Sequence, residues 1–255
     1  MPFSITLVPL AGIKLVEPGD DLGAIAVAAF AANGLMPEAD DVLVVAQKIV
    51  SKAEGRYVDV ASVQPSQRAT ALAAETDKDP RFVEVVLGES KRVVRHRPGL
   101  LIVEHRLGYV MANAGIDHSN IPTGDGVERV LLLPQDPDGS AARLRHRLAE
   151  AFGMPVAVVI SDSFGRPWRK GTVGIALGAA GLPAVIDMRG QPDLFGRELL
   201  VTETGFADEI AAAAGLVMGQ ADEAMPMVLV RGLRWSAPEA PAAALVRPAE
   251  HDLFR

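Results

Sequence analysis

The chain has 255 residues, 49% of them hydrophobic and 22% charged, enough apolar surface for one large domain or two modest ones. The formal net charge is −7 without a long basic run, which argues against general nucleic-acid binding, and the absence of cysteine excludes disulfides, thiolate nucleophiles and thiolate metal sites. No basic n-region precedes a cleavable apolar segment, and the longest strongly apolar stretch, residues 22–32, is too short to cross a bilayer, so a cytoplasmic protein without membrane contact is expected.

Residues 4–10 read as a first strand, followed by Ala11-Gly12-Ile13-Lys14. Gly19-Asp20-Asp21 opens a helix with an aspartate N-cap, and Gly34 closes it. Residues 41–50 form a nearly continuous apolar run, read as a second strand buried on both faces that carries Gln47, Lys48, Ser51 and Lys52 towards its end. Helices are expected from Ser66 and from Asp79-Pro80, then strands near 91–96, 100–105 and 108–112. The polar cluster 113–120, with Asn113, Asp117, His118 and Asn120, follows directly. Asp136 should cap a helix running to about Phe152, with Gly153 as its stop.

The stretch 157–181, AVVISDSFGRPWRKGTVGIALGAAG, organises the rest. Its β-branched start is a buried strand, which is expected to break at Ser161-Asp162-Ser163. A carboxylate flanked by hydroxyls suits a hard divalent cation, and Arg166, Arg169 and Lys170 suit a phosphate or carboxylate. The same residues equally fit a capping turn and a solvated basic loop. Gly171, Gly174, Gly178 and Gly181 are spaced three, four and three apart, which on a helix makes one close-packing face. A strand near 184–188, a helix near 206–217, a polar loop from Met218 to Met225, a strand at 227–230 and a Pro- and Ala-rich arm from Ser236 complete the chain. Strands and helices in this order indicate an α+β fold with a mixed sheet.

No P-loop, no G-x-G-x-x-G after a strand and no H-E-x-x-H pair is present. Ser51 and Lys52, adjacent in a strand, would face opposite ways, which weakens a Ser–Lys nucleophile. The oxygen-rich clusters around Asp117/Asn120, Asp162/Ser163 and Gln220/Asp222/Glu223, with lysines nearby, form the toolkit of Mg²⁺- or Mn²⁺-dependent phosphoryl chemistry.

VVAQKIVSKAEGR, NAGIDHSN, DPDGSA, SDSFGRPWRKGTVGIALGAAG with GRELLVTE, and MGQADEAMP followed by VLVRG together resemble the coenzyme F420-0:L-glutamate ligase family, over nearly all of residues 1–235 and in the family's order. The chain resembles the stand-alone form, without the nitroreductase-like domain fused to actinobacterial relatives. The resemblance implies an unusual α+β fold in an intertwined homodimer, with a catalytic domain at 1–235 that has room for two subdomains and a C-terminal tail at 236–255. It implies GTP-dependent addition of L-glutamate to the carboxylate of F420-0, then of further γ-linked glutamates, with Mg²⁺ or Mn²⁺ at two divalent sites and K⁺ as a further cation. By the same resemblance Ala11, Gly12, Ile13, Lys14, Gln47, Lys48, Lys52, Asn120 and Met218, Gly219, Gln220, Ala221, Asp222, Glu223, Ala224, Met225 are nucleotide contacts. Asp117 and Asp162 match one metal site, Ser163 and Gln220 a second. Arg166, Arg169 and Lys170 are expected at substrate carboxylates or phosphates, and no general base is assigned. Gln47-Lys48 stands where relatives carry Ser-Thr, Ser163 where they carry Thr, and Gln220 where an acidic residue can occur. Two other readings use the same residues: a metal-dependent phosphohydrolase or kinase, and a non-catalytic GTP-binding module.

Overall fold

Capped, alanine-rich segments become helices and β-branched runs become strands in the computed structural model, which describes residues 4–121 and 127–253. Residues 1–3, 122–126 and 254–255, parts of the expected catalytic domain and tail, lie outside the described residues. In chain order the elements are β1 (Thr6–Pro9), α1 (Leu22–Ala32), β2 (Val42–Ala46), α2 (Gln47–Ala53), β3 (Tyr57–Asp59), α3 (Gln67–Thr76), α4 (Pro80–Gly88), β4 (Ser90–Arg97), β5 (Leu100–His105), β6 (Val110–Ala112) and β7 (Arg129–Leu131). There follow α5 (Pro137–Phe152), β8 (Ala157–Arg166), β9 (Arg169–Ala180), β10 (Ile186–Asp187), β11 (Glu203–Thr204), α6 (Phe206–Met218) and β12 (Met227–Arg231). They divide into two units, Met1–Ala53 with Gln135–Leu245, and Glu54–Pro134 with Val246–Arg255.

The first unit is built on a five-stranded sheet of order β1-β12-β2-β8-β9, in which only β2 and β8 pair in parallel. The mixed α+β class expected from the sequence is the one observed. One face packs Leu43 and Val45 of β2, with Val158 and Ile160 of β8, against Phe30 of α1, Ile49 of α2 and Leu144 of α5. Ala157, Val159 and Val44 point the other way, onto Ala207, Ile210 and Ala211 of α6. This alternation is the period-two rule of a strand buried on both faces. Asp21 caps α1, Asp136 caps α5, and Gly153 ends α5 in the left-handed conformation, as the sequence indicates.

Three expectations are corrected here. The second strand ends at Ala46, and Gln47 to Ala53 turn into helix α2, so Ser51 and Lys52 lie on a helix and not on a strand. The strand expected to break at Ser161 runs on to Arg166 and forms a hairpin with β9. The glycine stripe lies on β9 and the turns at its ends, not on a helix. Its close packing is nevertheless present. A Cβ on Gly174 would lie 2.4 Å from the Ala211 carbonyl oxygen of α6, and one on Gly178 would lie 2.3 Å from the Pro137 carbonyl oxygen at the start of α5. Two helices on opposite faces are served by one strand because the register slips by one residue: Ile160 pairs with Gly178 but Ser161 with Ala176, leaving Leu177 as a bulge that reverses the facing of the strand. On either side of the bulge the outer N–H groups of β9 meet carboxylates, with Asp208 accepting from Ala176 and Asp138 from Ala179, both at 2.8 Å.

Asp138 also accepts from the backbone N–H groups of Ala242 and Ala243 in the expected tail, and Glu239 of that tail accepts from Gly181. The second unit packs α3 and α4, capped by Ser66 and Asp79, on the antiparallel sheet β4-β5-β6, beside the β3-β7 pair. Phe82, Val83, Val86, Leu101, Val103 and Val130 fill its core.

Candidate functional site

Sheet register gathers most of the expected nucleotide-contacting residues at one end of the first unit. Leu10, just past β1, donates to Met227 O at 2.9 Å, and Ala46, the last residue of β2, donates to Pro226 O at 2.8 Å. Ala46 is also in register with Ser161 of β8. The segment Ala11 to Lys14, the start of α2, the middle of β8 and the loop 218–225 therefore share that end of the sheet. Asn33, the C-cap of α1, holds Ala11 by both backbone groups, accepting from its N–H at 3.3 Å and donating to its carbonyl at 3.1 Å. Lys14 pairs with Asp20 at 2.8 Å on the surface. The Glu17 N–H and then Lys14 hold the Asp20 carboxyl below its ordinary range.

On α2, Gln47 is buried and donates to Ser51 Oγ at 2.6 Å, so its side chain is engaged inside the helix. Lys52, in the last turn of α2, is also buried, whereas Lys48 is half-buried. Strand alternation separates the oxygen donors of β8. Ser161 and Ser163 face the end of α6, where Ser161 Oγ lies 3.9 Å from Met218 Sδ and Ser163 Oγ donates to Gln220 Oε1 at 2.8 Å. Asp162 falls on the α2 side and accepts from the Ser163 N–H. In the following loop Glu223 accepts from Ala221 N–H, which lowers its carboxyl pKa. Gly219, at φ +75°, leaves no room for a Cβ beside the Glu223 side chain. Arg166, Arg169 and Lys170 stand at the hairpin tip, where Arg166 pairs with Arg169 around Pro167-Trp168. Trp168 is 87% exposed with φ +64°, a conformation that a bulky residue rarely adopts.

The F420-0:gamma-glutamyl ligase family model matches residues 12–232. The chain belongs to that family. Proteins named coenzyme F420:L-glutamate ligase are similar along nearly the whole length. The one from Methanothermobacter thermautotrophicus is 44% identical over 253 residues, covering 98% of this chain and 99% of the relative. That from Methanopyrus kandleri is 47% identical over 247 residues, covering 95% and 94%, and that from Archaeoglobus fulgidus is 43% identical over 251 residues, covering 98% and 96%.

The second unit carries Asp117 and Asn120. Asp117 bridges to Leu131 through both backbone groups, and its carboxylate accepts from Ser119 N–H at 2.7 Å. The preceding turn is unusual: Asn113, Ala114 and Gly115 all have positive φ, a conformation that costs a non-glycine residue about 1–2 kcal/mol. Backbone strain held in place by its surroundings is common at functional loops. His118 is exposed and lies against the Phe82 ring, 4.8 Å between centroids.

Among the described residues no three carboxylate or histidine side chains converge on one point. The donors on β8 and the 218–225 loop are all oxygens, which fits Mg²⁺ or Mn²⁺. Magnesium characteristically takes one or two protein carboxylates and completes its shell with water and phosphate oxygens, so a sparse donor set suits it. Sequence reasoning misses Asn33 and Asp20, which fix the Ala11–Lys14 segment. Asn33 reads as part of a helix stop, and nothing local to it points to Ala11. Among the described residues no helix is long and apolar enough to cross a membrane.

Proposed function

We propose that this chain is a GTP-dependent ligase that joins L-glutamate to the carboxylate of F420-0 and then adds further γ-linked glutamates, releasing GDP and phosphate. The observation that carries the reading is the common sheet end of Ala11–Lys14, α2, Asp162/Ser163 and the 218–225 loop, in a chain of this family. A carboxylate is a poor electrophile, so amide formation needs a leaving group. An acceptor carboxylate oxygen attacks the γ-phosphorus of GTP, the bond to the bridging oxygen breaks, and GDP departs. The amine of glutamate then attacks the acyl carbon, phosphate leaves, and the amine's proton passes to phosphate or water.

In this reading Lys48 and Lys52 offset the triphosphate charge, which would otherwise repel the attacking carboxylate. Asp162 would hold one Mg²⁺ or Mn²⁺, and Ser163 with Gln220 another; bound cations supply charge neutralisation between carboxylate and phosphate. Arg166, Arg169 and Lys170 would hold substrate carboxylates. The roles implied for Asp117 and Asn120, and a K⁺ ion, rest on the family pattern. A homodimer is part of the proposal, supported by the exposed apolar side chains of Leu194, Phe195, Leu200 and Val201, which a partner would cover. Mass spectrometry after incubation with F420-0, GTP, Mn²⁺ and L-glutamate tests the activity. Glutamate-dependent mass increments of F420-0 are expected; GTP hydrolysis without them would refute it.

A further inference from the structure

The hairpin of β8 and β9 turns through Pro167-Trp168, with Arg166 and Arg169 in register at its mouth. Proline fixes its own φ near about −65°, and Trp168 has φ +64°. That combination belongs to a turn whose second central position ordinarily takes glycine. An indole stands there instead, 87% exposed. Packing within the fold does not account for it, because a side chain this exposed buries little apolar surface. Arg166, Arg169 and Lys170 flank it, and Arg166 Nη1 donates to the Gly171 carbonyl at 3.4 Å across the turn. The tip therefore presents a flat apolar ring among cations, in a chain of net charge −7. Such a surface suits a ligand that is itself flat, aromatic and anionic.

F420-0 has this chemistry: a flat deazaflavin ring is joined through a phosphodiester to the carboxylate that is ligated. Arg166 lies four residues beyond Asp162 on β8, roughly 13 Å of extended strand. About ten bonds separate the acceptor carboxylate from its ring, roughly 12 Å when extended. A carboxylate held near Asp162 therefore brings the ring to the hairpin tip, with the phosphodiester between them beside the three cations. We propose that Trp168 stacks on the deazaflavin ring of the acceptor and so determines which acceptors the site takes. The inference rests on the ligase reading and extends it to a residue outside the nucleotide and metal contacts.

The test is calorimetric titration of the full chain with F420-0 in the presence of GDP and Mn²⁺, and separately with GTP, in the wild type, Trp168→Phe and Trp168→Gly. Glycine takes the positive φ without strain, so the turn survives loss of the ring; circular dichroism and size-exclusion chromatography check fold and assembly. Saturable F420-0 binding is expected in the wild type, weakened about tenfold or more in Trp168→Gly and less in Trp168→Phe, which keeps an aromatic face. GTP binding should be equal in all three, and in steady state the loss should fall on the KM for F420-0. Undiminished F420-0 binding in folded Trp168→Gly would overturn the assignment and leave the ligase reading standing. Equal loss of F420-0 and GTP binding, or a changed oligomeric state in Trp168→Gly, would make the residue structural and overturn it too. A wild type that neither binds nor ligates F420-0 would remove the ligase reading and the proposal together.

Discussion

Ser163 Oγ donates to Gln220 Oε1 at 2.8 Å, joining the middle of β8 to the loop after α6. If this pair holds a cation, its neutral oxygens are weak ligands, and Gln220→Glu should strengthen them by adding a charge. The concentration of Mn²⁺ for half-maximal activity should fall in Gln220→Glu and rise in Ser163→Ala. Loss of the hydrogen bond alone should cost only about 0.5–1.5 kcal/mol of stability. Unchanged metal titrations in both variants would remove the pair from the metal site.

Lys52 lies at the end of α2, on the side of the sheet that Asp162 faces. Lys52→Ala should raise the apparent KM for GTP or abolish turnover, while circular dichroism reports an intact fold. Normal GTP kinetics would make the residue structural.

The glycines of β9 give a test of packing. Gly174→Ala and Gly178→Ala place a methyl group 2.4 and 2.3 Å from helix carbonyl oxygens, which cannot move without shifting α6 or α5. Each should lose about 1–3 kcal/mol in thermal or denaturant unfolding. Gly165→Ala, where nothing lies within 4 Å of the added carbon, is the control on the same hairpin. Equal stability of all three would contradict the close approach.

What the sequence discloses follows from how local each signal is. The caps of Asp21, Ser66, Asp79 and Asp136 are legible because a capping side chain bonds an N–H two or three residues away. The change from strand to helix at Gln47 is not, because Ile49 and Val50, buried in α2, continue the apolar run that a strand would also show. Nor can the facing of Gly174 and Gly178 be read from their spacing. It depends on pairing with β8 and on the bulge at Leu177, which are set by distant partners. Motifs single out candidate residues, but the meeting of those in the first unit at one sheet end emerges only with the register of β1, β12, β2 and β8.

In the second unit Glu89 gives a pH-dependent prediction. Burial alone would raise its carboxyl, but His105, at 3.5 Å, and the Arg106 and Arg56 guanidinium groups, at 3.1 and 3.0 Å, outweigh it and hold the pKa at about 2 against an ordinary 4.5. His105 Nε2 is buried and makes no hydrogen bond at that distance, so the two arginines, which do, are the firmer partners. A depressed carboxylate pKa stabilises the fold above the unfolded value, and that contribution is lost as pH falls through the folded one. Glu89→Gln should therefore lower stability near neutral pH by about 1–3 kcal/mol, and its difference from the wild type should shrink between pH 4.5 and 2. A constant difference across that window would contradict the network.

The central claim is that the acceptor carboxylate is activated by phosphoryl transfer from GTP. It is tested most directly with F420-0 whose carboxylate is enriched in heavy oxygen, by measuring the isotope in the phosphate released during ligation. An acyl phosphate transfers a labelled oxygen to phosphate as the first glutamate is joined, whereas later γ-linked additions activate an unlabelled glutamate carboxylate. Labelled phosphate in step with the first glutamyl addition is the predicted result; that addition with unlabelled phosphate would contradict the account.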